Sequence, residues 1–97
     1  MRRISYGSAA KSDLRSAKRY YDELRPGLGE EFVLEVEAQL SKIAEYPNAF
    51  RVVQDKTRKV PIKRFLFDIY YAPTDEEIFV VAVVHRRRHP DFWKNRG

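Results

Sequence analysis

The chain contains no cysteine, which excludes a disulfide framework, a thiol nucleophile and a thiolate zinc site. Its four glycines and five prolines form no repeat, linker or low-complexity tract. The only closely spaced glycines lie in Arg25-Pro-Gly-Leu-Gly29, which lacks the lysine and the preceding strand of a phosphate-binding loop. Long hydrophobic runs are missing as well. The longest, Ile78-Phe-Val-Val-Ala-Val-Val84, is far short of the ~20 residues of a membrane helix. The opening Met-Arg-Arg-Ile-Ser-Tyr brings charge and tyrosine before any apolar stretch, so no signal peptide and no membrane partner are expected, and a cytoplasmic location is. The two histidines, His85 and His89, have no cysteine or carboxylate close by in sequence, so no metal and no cofactor are expected.

What is present is a basic chain of 97 residues, 43% hydrophobic and 34% charged, with 19 Lys+Arg against 14 Asp+Glu. That length and apolar content predict one domain over residues 1–97 with its own core. The charge is unevenly placed. Residues 1–50 hold 8 basic and 8 acidic side chains, so the whole net charge of +5 falls in the second half. It concentrates in Arg51–Arg64 and in His85–Gly97, and a field gathered in this way favours an anionic partner.

Periodicity divides the chain in two. After a short Ile4-Ser-Tyr6 strand, Ala10, Leu14, Ala17, Tyr21 and Leu24 recur at helical spacing. Arg25-Pro-Gly-Leu-Gly29 is expected to stop that helix. A second helix turns Phe32, Val36, Leu40 and Ile43 inward and carries Glu30 and Glu31 near its start, where acids suit the helix dipole. Pro47 ends it. So short a connection predicts an antiparallel helical hairpin. The period then falls towards two, with strands expected at Phe50–Gln54, Arg58–Lys63, Phe67–Ala72 and Ile78–His85. Ile78–Val84, apolar on both faces, is the expected central strand, and Pro61 predicts an edge or a bulge. A short helical tail is expected to start at Pro90. The fold class is α+β: an N-terminal strand and a helical hairpin packed on an antiparallel sheet.

The residues able to carry chemistry are cations and aromatics. Lys59, His85, Arg86 and their basic neighbours have the types needed for metal-independent RNA cleavage, and Tyr70, Tyr71, Phe92 and Trp93 for stacking on bases. Packing of the aromatics within the fold is the simpler expectation.

The series Ala17-Lys-Arg-Tyr-Tyr21, Gly27-Leu-Gly-Glu-Glu-Phe32, Pro47, Arg58-Lys, Arg64-Phe, Ile69-Tyr-Tyr71 and Ala82-Val-Val-His-Arg-Arg-Arg-His-Pro90, closing on Trp93, resembles the RelE/ParE superfamily of bacterial toxins along nearly the whole chain. The resemblance implies a helical hairpin on a curved antiparallel sheet. It also implies the toxin half of a type II toxin–antitoxin pair, neutralised by a cognate antitoxin with an acidic, partly disordered segment. Two activities occur in the superfamily. RelE-like members cut mRNA on the ribosome, and ParE-like members inhibit DNA gyrase. Aligned on the RelE pattern, Lys59 and Arg86 match two of its cations, whereas Pro61, Asp68 and Phe92 fall where a lysine, an arginine and a tyrosine belong. Phenylalanine exchanges no proton, and an aspartate repels phosphate. A ParE-like gyrase inhibitor is therefore the expected function. A ribosome-dependent endoribonuclease using Lys59, His85 and Arg86, or an inactive family member, is the alternative. The expected binding surface for target and antitoxin is Lys59, Lys63, Arg64, Arg86, Arg87, Arg88, Trp93, Lys94 and Arg96.

Overall fold

The computed structural model describes residues 2–87. The elements run β1 (Arg3–Tyr6), α1 (Ser8–Leu24), α2 (Leu28–Glu45), β2 (Arg51–Gln54), β3 (Thr57–Pro61), β4 (Phe67–Pro73) and β5 (Glu77–His85). They form a helical hairpin on a five-stranded sheet of order β1-β5-β4-β3-β2. The expected tail at Pro90 lies outside the described residues.

The hairpin turn is tighter than the sequence suggests. Only Arg25–Gly27 separates the helices, and Gly29 lies inside α2 instead of in the turn. The two glycines serve different ends. Gly27 takes a left-handed φ of 89°, a conformation open to glycine at little cost. Gly29 allows contact: a Cβ there would sit 2.4 Å from the Lys18 carbonyl oxygen and 2.6 Å from the Asp22 side chain. Because the helices meet this closely, Asp22 Oδ1 accepts the Gly29 N–H at 2.7 Å. It thereby satisfies a first-turn donor that the Gly27 cap, with no side chain, leaves open.

The buried stripes of both helices meet one face of the sheet. Ala10, Ala17 and Tyr21 from α1 and Phe32, Val36, Leu40 and Ile43 from α2 form one core with Val60, Ile69, Tyr71, Ile78, Val80 and Val83. Leu24, at the last residue of α1, runs past this contact and is exposed. At one end of the core Tyr21, Phe32, Phe65 and Phe67 pack edge-on or tilted at centroid distances of 4.8–5.9 Å, a favoured geometry for aromatic rings. Tyr71 donates its hydroxyl to the Pro47 carbonyl at 2.9 Å, fastening the α2–β2 connection to the sheet. Burial pushes its pKa up to about 12.

Four details of the sheet depart from expectation. It is mixed, because β1 runs parallel to β5 while the other neighbours are antiparallel. The middle strand is β4. The more apolar β5 is interior, flanked by β1 and β4, because its apolar character reflects burial on both faces and not its rank in the order. Pro61 ends β3, an interior strand, yet β2 pairs β3 only as far as Lys59, so the proline stands where no neighbour needs its missing N–H. A bulge in β5 leaves Val81 without a partner between Tyr70↔Ala82 and Tyr71↔Val80. The extra residue keeps Val80 and Val83 both on the helix side while Val81, Ala82 and Val84 join Tyr70 on the opposite face.

Candidate functional site

The face of the sheet away from the helices holds a compact charge cluster. Asp68 on β4 is 3% exposed and pairs with two cations. Arg86, just past β5, reaches its Oδ1 with Nε at 3.0 Å, and Lys59 on β3 reaches Oδ2 at 3.6 Å. A carboxylate this deeply buried requires such partners. Arg86 is committed further: its Nη2 donates to the carbonyls of Ile62, Phe65 and Phe67 at 3.2–3.3 Å, and its own N–H donates to the Leu66 carbonyl at 2.8 Å. The planar fork of arginine suits this task. One side chain thus holds the β3–β4 connection in place.

The cluster continues across the sheet. Arg51, Lys59, Tyr70 and Ala82 stand directly opposite one another on β2, β3, β4 and β5. Burial, then the Asp68 charge, raises the Tyr70 pKa, opposed by Arg51. Arg51 and Lys59 are like charges in register, an arrangement that costs stability unless an anion joins them. Arg51, Lys56 and Lys63 are exposed and form no ion pair among the described residues.

His85 lies on the other side. Strand alternation turns it towards the helix layer, where it packs edge-on against Phe67 at 5.3 Å. Its Nδ1 accepts the Arg87 N–H at 3.1 Å. With Arg87 it borders a cavity of about 450 Å³ whose other wall is Asp13, Ser16, Ala17 and Tyr20 of α1. The expected set Lys59, Arg86 and His85 is therefore divided: the first two meet at Asp68, and the sheet separates the third from them. Arg64 faces α2, bonded to Glu31 at 2.7 Å and 3.8 Å from Glu35. Its guanidinium holds the Glu31 carboxyl below its ordinary range. Arg88, Trp93, Lys94 and Arg96 lie outside the described residues, as do His89 and Phe92. No cluster of metal-ligating side chains occurs among the described residues.

A family model described as the ParE toxin of type II toxin–antitoxin systems, parDE, matches residues 4–90. Toxin ParE2 of Mycobacterium tuberculosis is 30% identical over 91 residues, covering 93% of this chain and 87% of the relative, in both strains H37Rv and CDC 1551. This chain belongs to the ParE toxin family. A solved chain of the chromosomal ParDE toxin–antitoxin system from P. aeruginosa superposes with a TM-score of 0.75 at 18% identity, over 88% of this chain and 96% of that one, so the fold is shared as well.

Membership in a toxin–antitoxin system implies an antitoxin partner. For a ParE-family toxin, the outer sheet face is notable for how it spends its cations. Two of the cations singled out by type in the sequence, Lys59 and Arg86, share a single buried carboxylate, Asp68, which offsets part of their charge. The sequence revealed Asp68 only as a departure from the RelE pattern. Asp13, whose Oδ2 accepts the Val83 N–H at 3.1 Å, carries no signal in the sequence at all, since the contact spans 70 residues.

Proposed function

We propose that this ParE-family toxin acts by binding, as an inhibitor of DNA gyrase in the cytoplasm, and that an antitoxin with an acidic segment neutralises it. The observation that supports this reading is the Asp68 cluster. RNA cleavage needs cations free to meet a phosphate and a proton carrier beside them. Here the Lys59 and Arg86 charges are turned onto a buried carboxylate, and His85 stands behind the sheet. The unpaired Arg51, Lys56 and Lys63 remain for an acidic partner.

The test is a pair of assays on purified toxin. Inhibition of gyrase supercoiling is expected, together with intact mRNA on programmed ribosomes. Supercoiling left untouched alongside cleavage of ribosome-bound mRNA would establish the nuclease instead.

A further inference from the structure

Residues 51–64 hold six Lys+Arg against one acid, Asp55. Two of the six are committed within the fold. Arg58 donates to the Asn48 and Phe50 carbonyls, at 3.2 and 2.6 Å, and Arg64 is held by Glu31 and Glu35. The other four are available. Arg51, Lys56 and Lys63 are exposed and form no ion pair among the described residues. Lys59 shares Asp68 with Arg86 at 3.6 Å, and its side chain keeps 30% of its surface open.

These four form a row. Arg51 and Lys59 are directly opposite on β2 and β3, and Tyr70 comes next on β4, so the three side chains share the outer face. The Arg51 charge lowers the Tyr70 pKa against the effect of burial, which sets the guanidinium over that face. Lys56 lies in the β2–β3 turn and Lys63 two residues past the end of β3. At ~3.3 Å per residue they stand roughly 20 Å apart. Like charges opposite one another destabilise a strand pair, and an anion lying across Arg51 and Lys59 relieves that cost.

The surroundings decide which anion. Protein partners are anchored by large apolar and aromatic side chains, and unpaired bases by stacking on exposed rings. The ring on this face, Tyr70, is 8% exposed, and Val52, the exposed apolar residue of β2, alternates to the opposite face. Cations without a stacking platform suit the backbone of a duplex, which carries one charge per ~1.7 Å of axis. A row of this length meets about six phosphates of each strand.

We infer that Arg51, Lys56, Lys59 and Lys63 bind the sugar–phosphate backbone of duplex DNA, with a phosphate seated between Arg51 and Lys59. The inference goes beyond the gyrase reading, because it gives the toxin a contact with DNA itself. An acidic antitoxin segment laid on these cations competes with the duplex.

The test titrates purified toxin onto a labelled 20-base-pair duplex by fluorescence anisotropy, from about 50 to 200 mM salt. Wild type is expected to bind with a slope of log K against log salt of about −3 to −4. The triple variant Arg51→Ala, Lys56→Ala, Lys63→Ala is expected to bind about 10- to 100-fold more weakly at the low-salt end, with a slope nearer −1. A control removes Lys11, Arg15 and Arg19, exposed on α1, and so has the same net charge as the triple variant. It is expected to bind about as wild type does, and circular dichroism checks that both variants are folded. Equal weakening in the two variants would reduce the effect to net charge and overturn the row. Tighter binding of a 20-nucleotide single strand would overturn the duplex. So would binding of polyglutamate, but not of DNA, that is lost in the triple variant. Supercoiling assays read the gyrase proposal separately: a wild-type chain that inhibits gyrase yet binds no duplex overturns this inference and spares that one.

Discussion

At Gly29 and Gly27, two residues apart, the same amino acid meets opposite demands. Gly29→Ala must push a methyl group against the Lys18 carbonyl, a backbone atom that cannot step aside. It is expected to cost about 1–3 kcal/mol by forcing the helices apart. Nothing lies within 4 Å of a Cβ at Gly27, so Gly27→Ala meets only the left-handed backbone, at about 1–2 kcal/mol. Urea unfolding of the two variants checks the size of both losses. A second measurement separates the causes: only Gly29→Ala should disturb the Gly29 N–H bond to Asp22, visible as faster exchange of that amide.

Among the elements, the β3–β4 connection depends most on a single side chain. Arg86→Ala removes the bonds to Asp68 and to three carbonyls, and it leaves a buried carboxylate with only Lys59. A loss of about 1–3 kcal/mol is expected. Arg87→Ala, one residue on and exposed, should stay within about 0.5 kcal/mol. Thermal unfolding of the two variants distinguishes them, and equal losses would show that the fork does not hold the connection. The same comparison guides any toxicity measurement: loss of toxicity in Arg86→Ala reports on folding first, and only Arg87 reports on contact. The helix stripes and the strand segments were legible because burial repeats with the backbone period, as Phe32, Val36, Leu40 and Ile43 show. The parallel seat of β1 and the bulge at Val81 were not. Neither leaves a local pattern: β1 meets a neighbour more than 70 residues away, and the bulge falls within a strand that is apolar on both faces, where no alternation marks the extra residue.

For the molecule as a whole, carboxylates of the helices make polar links to the sheet and its connections. Glu31 on α2 accepts from Arg64, which follows β3, and its pKa is lowered chiefly by that hydrogen bond. Asp22 between the helices is lowered as well, first by Lys18 and then by the Gly29 N–H. Both carboxyls bind protons more weakly when folded than when unfolded. Their stabilisation is therefore present above the ordinary carboxylate pKa of about 4. It is lost as the pH falls through their lower folded values. Acid unfolding of Glu31→Gln is accordingly expected to show a shallower fall below about pH 4 than the wild type. Identical slopes would show that the Arg64 contact is not felt by the fold. Salt should reduce this difference, because both partners are solvent-exposed.

The sequence by itself determined the α+β class, the helical hairpin, the strand segments and the family, because these depend on periodicity, turn chemistry and motif spacing, all local properties of a chain. It also determined that the positive charge belongs to the second half. Only the tertiary structure decided what that charge does. Lys59 on β3, Asp68 on β4 and Arg86 just past β5 are far apart in sequence, and the pairing of these strands brings them within reach, so that two apparent effector cations become partners of one buried carboxylate. The same register turned His85 to the other face, beside Asp13 and the cavity at α1, since a one-residue step along a strand reverses the side on which a side chain stands.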